Sequence, residues 1–578
     1  MVQKLKILCS AMDSLGHVNA ILGFAKILEQ RGHQVIIALA PGWKSAIEKH
    51  NFEFIPLKLD SSVKEEKEVK GEKKVGDESN GKDEEANSVE KVEDKSNSND
   101  SKIVDAKSVN ESTVTKDEKN SELPVTESDT KDEEKSPVKK EEDKSNLNDS
   151  GIADSESVNE SLATESENES SASESVNEPS ATETETKDTK NVEQPNQKLI
   201  GMINSQLKGF RLKPVDNARN SALKVPMWLD WYEKQFAFDD ALQEVMDAVK
   251  PDMIVIDFML RLPCLEKSSI PWAQLWSCNP IMLYNGHCPP ATTGYPTDSP
   301  RELWDEYKAF KDQGDIPIAE YINKWLISRG VRPYTKDEIY HIGESKYLNF
   351  YTYPSILDYN DIAPRPAKWV RMDATVREPD DATPFVIPEK LAGKPGALIY
   401  FSLGTMGCVD LELMRRVISV CAKSPHRFIV SKGPLHEQIE LPDNMWGESY
   451  VNQIAILPHV DLVITHAGNN TLTESLYFGK PVILMPLFFD QLDNAQRAHE
   501  KGVGIRIDTY NFQDSDLLDA IEKLLNDEPL KEKLAAISAS LKASTSKETV
   551  CKLIEKTVAL GKSPFDDDQV ANNQVESE

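Results

Sequence analysis

The pattern of apolar and polar positions changes along the chain between two types. Short apolar runs bounded by turn residues predict buried strands, whereas apolar residues spaced three and four apart predict amphipathic helices. In the first 60 residues these patterns predict strands over 4–11, 33–39 and 52–58 and helices over 18–29 and 43–50. A strand–helix–strand order of this kind favours a right-handed crossover between parallel strands.

The same alternation continues after residue 200 and begins again near residue 395. Strands are predicted over 252–258 and 271–276, and then over 397–402, 427–430, 461–465 and 481–485. Two strand–helix series indicate an α/β protein with two doubly wound, Rossmann-like domains that face one another across a cleft. We expect these divisions: an N-terminal domain of 1–60 and 200–372, a linker of 373–394, a C-terminal domain of 395–561 with closing helices, and an acidic disordered tail of 562–578.

Residues 61–199 interrupt this pattern. Residues 61–200 contain no Phe, Trp, Tyr, His or Cys, and their 20 Lys and 39 Asp+Glu give a net charge of −19. With almost nothing apolar to bury, such a block cannot offset the entropy of ordering its backbone. We therefore expect a disordered acidic insertion within the N-terminal domain. It is either a solvated spacer or a serine-rich docking segment whose partner proteins the sequence does not identify.

Charge and cysteine usage exclude several classes of protein. The whole chain carries a net charge of −30, which disfavours a nucleic-acid partner. Seven widely spaced cysteines without a C-x-x-C pair suggest free thiols in a reducing compartment rather than a disulfide framework or a zinc site. No run reaches 18 apolar residues, so we expect no membrane span and a cytoplasmic location.

Residues 450–491 contain most of the polar side chains that suit a ligand-binding site. Thr465 to Thr471 reads as a strand-to-helix turn, where free backbone N–H groups suit a phosphate. Glu474 lies one turn into the helix and can accept vicinal hydroxyls of a ribose, and Asp490 and Gln491 follow the next strand at the same sheet edge. Each residue has an ordinary explanation as a cap or a solvated side chain, but their joint occurrence at one edge favours the functional interpretation, a site for a phosphate and several hydroxyls.

This stretch resembles the donor signature of the inverting family-1 UDP-glycosyltransferases. Tyr450-x-x-Gln453 is similar to the family's W-x-x-Q, and residues 466–474 match H-x-G-x-N-[S/T]-x-x-E. The resemblance implies the GT-B fold, and the central region 277–296 resembles soluble, mite-type arthropod members. It also implies a UDP-sugar-binding set, in which Tyr450 stacks on uracil: Thr405, Tyr450, Val451, Gln453, His466, Gly468, Asn470, Thr471, Glu474, Asp490 and Gln491.

The family's catalytic base has a counterpart here as well. Inverting transfer needs a base for the acceptor hydroxyl, and an imidazole with a pKa near 6.5 is suited to that task. His17 follows the first strand, where the family places its catalytic histidine, and Asp257 ends a buried strand of the same domain. We expect Asp257 to orient and charge-balance His17, as the carboxylate does in a catalytic triad.

The sequence therefore predicts a glycosyltransferase that moves a hexose from a UDP-sugar co-substrate, UDP-glucose by preference, to a hydroxyl of a small lipophilic acceptor. No tightly bound cofactor and no metal are expected. Candidates for the acceptor pocket are Met12, Phe258, Met259 and Trp276, each of which could equally be core. Two alternatives stay open, a UDP-sugar epimerase of the same fold and a non-catalytic scaffold that binds UDP-sugar or a lipophile.

Overall fold

Two parallel sheets organise the chain, as the computed structural model shows. It describes residues 3–59, 201, 206–336, 338–339, 341–376 and 385–566. These residues belong to one compact unit that spans 1–66 and 185–578. The predicted insertion of 61–199 and residues 567–578 of the predicted tail lie outside the described residues.

The first sheet has seven parallel strands in the order β3-β2-β1-β4-β5-β6-β7. Its strands are β1 (Lys6–Ala11), β2 (Gln34–Leu39), β3 (Glu53–Pro56), β4 (Met253–Asp257), β5 (Trp272–Trp276), β6 (Leu348–Thr352) and β7 (Trp369–Met372). The strand order reverses between β1 and β4, where Ala11 pairs with Asp257. In doubly wound sheets a crevice opens beyond the strand ends at such a reversal.

The second sheet has six parallel strands in the order β10-β9-β8-β11-β12-β13. They are β8 (Leu398–Ser402), β9 (Arg427–Ser431), β10 (Met445–Glu448), β11 (Leu462–Thr465), β12 (Val482–Leu484) and β13 (Gly504–Arg506). Here the order reverses between β8 and β11, and Thr465 pairs with Ser402 at that point. The prediction of two Rossmann-like domains is therefore confirmed.

Helices cover both sheets. In chain order they are α1 (Leu15–Gln30), α2 (Lys44–Glu48), α3 (Pro214–Arg219), α4 (Ser221–Val249), α5 (Pro263–Lys267), α6 (Arg301–Ser328), α7 (Gly404–Gly407), α8 (Leu411–Cys421), α9 (Gln453–Ile456), α10 (Asn469–Tyr477), α11 (Asp490–Glu500), α12 (Asp514–Leu525), α13 (Glu528–Ala543) and α14 (Ser546–Leu560). Helix α1 begins at Leu15, so His17 lies in its first turn and not in the predicted loop. Among the described residues, no helix combines the length and the apolar character that crossing a bilayer requires.

The last helix, α14, packs on the first sheet although it follows the second one in the chain. Val550, Cys551 and Ile554 are buried in the same cluster as β1 and β2. Arg31 and His33 bind Glu555 of this helix; His33 Nε2 lies 3.1 Å from Glu555 Oε1. The chain therefore crosses between the two domains a second time. All seven cysteines are buried and unpaired.

Candidate functional site

The carboxyl edges of the two sheets enclose a cleft of about 1980 Å³. Residues from both predicted halves of the site line it, and they lie beyond the carboxyl ends of strands in both sheets. The predicted residues that line the cleft are Met12, His17, Met259, Thr405, Tyr450, Val451, Gln453, His466, Gly468, Asn470, Thr471, Glu474, Asp490 and Gln491. A cavity of this size exceeds the few hundred to about 1000 Å³ of a typical single-ligand pocket, and so it has room for two substrates.

The wall formed by the first sheet carries a buried histidine–carboxylate pair. His17 Nδ1 lies 2.9 Å from Asp257 Oδ2, and the Asp257 side chain is fully buried. Ser277 Oγ, just beyond the end of β5, lies 3.2 Å from the same nitrogen. Both Asp257 oxygens are buried, and within the described part of the chain His17 is the basic side chain that pairs with them.

The environment of His17 sets its protonation. Burial alone would lower the pKa of His17, but the Asp257 carboxylate opposes that effect, and Asp490 adds a smaller effect of the same sign. The net shift of the His17 pKa is upward from its ordinary value. Because Nδ1 faces the carboxylate, Nε2 is the nitrogen that can exchange a proton with a ligand.

The wall formed by the second sheet carries a histidine in a different setting. His466 directly follows β11, and two glycines leave room for its ring. A Cβ atom at Gly404 would lie 2.6 Å from His466 Cε1, and one at Gly468 would lie 2.5 Å from Nε2. Burial lowers the pKa of His466 to about 4, so the ring is neutral at physiological pH and can donate an N–H without carrying charge.

The nucleotide-binding candidates form one connected group beside this histidine. Gln453 Nε2 donates to Glu474 Oε2 and lies 3.3 Å from Thr471 Oγ1. Thr471 and Glu474 are buried in α10, whose N-terminus opens toward the cleft with Gly468 as its N-cap. Tyr450, in contrast, is 64% exposed, which leaves a ring face for stacking. Thr405 lies in the short helix α7.

Asp490 and Gln491 lie at the start of α11, and both side chains accept hydrogen bonds from backbone N–H groups of the protein. Asp490 Oδ2 accepts a hydrogen bond from the Asn279 N–H at 3.0 Å, and burial raises the pKa of Asp490 to about 6. Gln491 Oε1 accepts from the Leu487 N–H at 3.1 Å. The preceding residue, Phe489, has a φ of 53°, an unfavourable backbone conformation that is typical of functional turns.

Several hydrogen bonds that the sequence did not predict join the two walls. Asn470 Nδ2 donates to the Gly16 carbonyl at 2.9 Å, and Asn469 Nδ2 donates to the Ser277 carbonyl at 2.7 Å. Asp493 accepts from the backbone N–H groups of Thr292 and Gly294 at 2.6 and 2.9 Å. Partners more than 190 positions apart leave no local signal, so only the fold could reveal them.

The acceptor candidates divide into two pairs. Met12 and Met259 line the cleft, but Phe258 and Trp276 do not. Phe258 is buried and stacks on Phe238, and the buried Trp276 donates its indole N–H to the Asn279 carbonyl at 3.0 Å. Their place on the apolar side of the cleft is taken by Met227, Trp228 and Trp231 of α4, which the sequence analysis did not single out.

A segment of the N-terminal half reaches over the second sheet. The Phe210 ring stacks on Phe488 at a centroid distance of 4.4 Å, and Arg211 forms an ion pair with Asp410 at 3.1 Å. Both Phe210 and Arg211 line the cleft. Across the described ranges, no group of three His, Cys, Asp or Glu side chains is arranged to hold a metal ion.

Part of the second domain is similar in sequence to known proteins. Residues 381–545 match the family model described as "UDP-glucoronosyl and UDP-glucosyl transferase". The chain is 32% identical over 149 residues to human UDP-glucuronosyltransferase 2B10 and 29% identical over 150 residues to the uncharacterized UDP-glucosyltransferase YojK of Bacillus subtilis. Each match covers 25% of this chain, and they span 28% and 37% of those relatives.

Solved structures extend the likeness to the whole architecture. The glycotransferase of kitacinnamycin superposes with a TM-score of 0.53 at 16% identity, covering 96% of this chain and 99% of that one. Spinosyn forosaminyltransferase SpnP superposes with a TM-score of 0.51 at 14% identity, covering 96% of this chain and 100% of that one. The predicted resemblance to the family-1 UDP-glycosyltransferases is confirmed: residues 381–545 match the family model, and the chain has the GT-B fold.

Proposed function

We propose that the chain transfers a hexose from a UDP-sugar, preferentially UDP-glucose, to a hydroxyl group of a small lipophilic acceptor, with inversion at the anomeric carbon. The observation that carries the proposal is the pairing of His17 with Asp257 on one wall of the cleft, opposite His466 and the N-terminus of α10 on the other. A base and a phosphate-binding helix end face the same space, as a transfer reaction between two bound substrates requires.

His17 is the proposed base. Asp257 holds the proton on Nδ1, so Nε2 accepts the proton of the acceptor hydroxyl. The oxygen then attacks the anomeric carbon from the face opposite UDP. The new carbon–oxygen bond forms as the bond to the β-phosphate breaks, and UDP departs. Asp257 stabilises the imidazolium that results.

The second wall would stabilise the leaving group. The free N–H groups at the start of α10 favour negative charge, and the neutral His466 donates an N–H. In this proposal Thr405, Asn470 and Thr471 also contact the diphosphate, Tyr450 stacks on uracil beside Val451 and Gln453, Glu474 binds the ribose, and Asp490 and Gln491 bind sugar hydroxyls. The helix end and donor side chains supply this stabilisation without a step that uses a metal.

The apolar part of the cleft supports a lipophilic acceptor. Met12 and Met259 approach from the strand ends, and Met227, Trp228 and Trp231 approach from α4. Met227 and Trp228 are exposed, although large apolar side chains are usually buried. Flexible methionines beside rigid indole rings suit planar apolar molecules of varied shape.

Incubation of the protein with UDP-glucose, UDP-galactose and UDP-glucuronic acid tests the reaction, with a panel of phenols and flavonoids as acceptors. We expect UDP release together with a glycosylated product by mass spectrometry, and the highest rate with UDP-glucose. Isomerisation of a UDP-sugar without acceptor would instead identify an epimerase. UDP binding without turnover of any acceptor would favour a scaffold.

His17→Ala tests the base. Loss of a positioned general base lowers turnover by about 10²- to 10⁴-fold, while the UDP affinity should stay within two-fold. His459→Ala is the matched control because His459 is exposed and does not line the cleft. Turnover by His17→Ala within a few-fold of the wild type would disprove the role of His17.

A further inference from the structure

A short hydrogen-bonded path joins the second domain to the candidate base. Asn469 Nδ2 donates to the Ser277 carbonyl at 2.7 Å, and Ser277 Oγ lies 3.2 Å from His17 Nδ1. All three residues are buried, with 6–7% of their surfaces exposed. The path therefore runs along the wall of the cleft, where the low exposure of these side chains limits the competition of solvent for these bonds.

Asn469 is placed to hold the end of the first sheet. It is the first residue of α10 and follows His466 by three positions. Its amide also donates to the Thr352 carbonyl at 3.1 Å. Thr352 ends β6 and Ser277 follows the end of the neighbouring strand β5, so one side chain from the donor-binding wall fixes two adjacent strand ends of the other wall.

The Ser277 hydroxyl restricts the orientation of the His17 ring. Nδ1 faces two acceptors, Asp257 Oδ2 at 2.9 Å and Ser277 Oγ at 3.2 Å. The Asp257 carboxylate fixes which nitrogen of His17 carries the proton. The Ser277 hydroxyl, which follows a different strand, limits rotation of the imidazole ring around the Nδ1–Asp257 contact. The other charged group that acts on His17 is Asp490 of α11.

We propose that Ser277 is a positioning residue for His17, and that Asn469 links this position to the docking of the donor-binding domain. The inference rests on the proposed function, in which His17 is the base. Its consequence is that the second domain contributes to catalysis by orienting the base as well as by binding the nucleotide.

Kinetics of Ser277→Ala provide the first test. We expect kcat to fall about 2- to 10-fold, the range for one lost hydrogen bond, with the KM for UDP-sugar within two-fold. The acidic limb of the kcat/KM profile should move to lower pH because the His17 imidazolium loses an acceptor. Ser277→Thr, which keeps the hydroxyl, should recover most of kcat.

Ser345→Ala is the matched structural control. Ser345 is a buried serine of the same domain whose hydroxyl donates to the Trp272 carbonyl at 2.6 Å, at the far end of β5. It should lower thermal stability without moving the pH profile. A Ser277→Ala profile that coincides with that of Ser345→Ala would overturn the proposal.

A double-mutant cycle tests the link to the second domain. Asn469→Ala should lower kcat, and its effect should be smaller in the Ser277→Ala background because the two residues act through one path. Strictly additive effects would overturn the link.

NMR separates this inference from the proposed function. The His17 Cε1–H resonance, assigned with His17→Ala, can be titrated in the absence of turnover. A lower His17 pKa in Ser277→Ala supports the contact even if no acceptor is glycosylated. An unchanged pKa and unchanged kcat in an active enzyme would refute the positioning role alone.

Discussion

Each edge of the cleft places a histidine beside the reversal of strand order in its own sheet. His17 follows β1 and His466 follows β11, and each strand flanks the reversal of strand order in its sheet. Both side chains are largely shielded from solvent. His17, however, has a carboxylate 2.9 Å away, whereas His466 lies between two glycines. The pKa of His17 is raised, while that of His466 is lowered to about 4.

This difference shows how one side chain can serve two chemical purposes in one site. Burial penalises the charged imidazole in both places, and only His17 has a carboxylate that offsets the penalty. A histidine that can take up a proton is suited to act as a base. A histidine that stays neutral can donate a hydrogen bond to a leaving diphosphate without being titrated by it.

Removing the Asp257 carboxylate should have the largest effect, because this group distinguishes His17 from His466. In Asp257→Asn only the smaller effect of Asp490 opposes burial, so the pKa of His17 should fall below its ordinary value. The amide can also stabilise the wrong tautomer, and together these effects should lower kcat by about 10²- to 10⁴-fold. Steady-state kinetics and UDP titration calorimetry would measure this, with UDP affinity expected to be unchanged. A fall in kcat of less than ten-fold would contradict the assignment.

Adding a methyl group beside the His466 ring should affect only the nucleotide-binding edge of the cleft. Gly468→Ala places a methyl group 2.5 Å from His466 Nε2, and the ring cannot retreat because Gly404 packs against it. We expect UDP affinity to fall about 5- to 100-fold, the range for overpacking a tight site. The acidic limb of the kcat/KM profile should not move.

Gly42→Ala is the control for that substitution, since nothing lies within 4 Å of a Cβ at Gly42. Titration calorimetry with UDP measures both variants. Equal affinities for Gly468→Ala and Gly42→Ala would show that His466 does not contribute to nucleotide binding.

A smaller effect is expected on the pH dependence of stability, through the contact of Asp493 with the other edge of the cleft. Burial raises the pKa of Asp493 to about 7, although the Thr292 and Gly294 N–H groups oppose this. The folded state therefore binds a proton more tightly than the unfolded state, in which the pKa is about 4. The free energy of unfolding should then fall as pH rises from about 4 to about 7.

Asp493→Asn should remove part of that slope, on the order of 1–2 kcal/mol between pH 5 and pH 8. Thermal unfolding across this range measures it. Asp519→Asn, an exposed carboxylate of α12, is the control and should retain the slope of the wild type. A wild-type transition that rises over this range would contradict the expectation.

Deleting residues 64–196 should have the smallest effect. The acidic, aromatic-free composition of this block predicts that it contributes little to either edge. We expect UDP affinity to stay within two-fold and the melting temperature to stay within about 2 °C, which corresponds to less than about 1 kcal/mol. Calorimetry and thermal unfolding measure both quantities. A large drop in melting temperature would mean that the block packs against the described residues.

The donor side of the site was predictable because its residues are close in the sequence. Residues 450–491 contain every predicted contact of the second wall except Thr405, and the three successive connections after β10, β11 and β12 bring them together. Ser277 and Asn469 escaped prediction because 192 positions separate them. Phe258 and Met259 show a second limit. Both residues lie just beyond the end of β4, where no strand alternation applies, so the sequence did not reveal that Met259 lines the cleft while Phe258 packs in the core.

Helix α14 has a consequence for the order in which the protein can be assembled. Val550, Cys551 and Ile554 complete the core around β1 and β2, yet the ribosome makes them after the whole second sheet. Part of one apolar face of the first sheet, beside the part that α1 covers, therefore stays exposed until the other domain has been synthesised. An N-terminal domain expressed alone would keep that face open. A separate peptide of residues 546–560 should cover that face by binding to it. Helix α14 would then associate with the first sheet in a bimolecular reaction instead of within one chain.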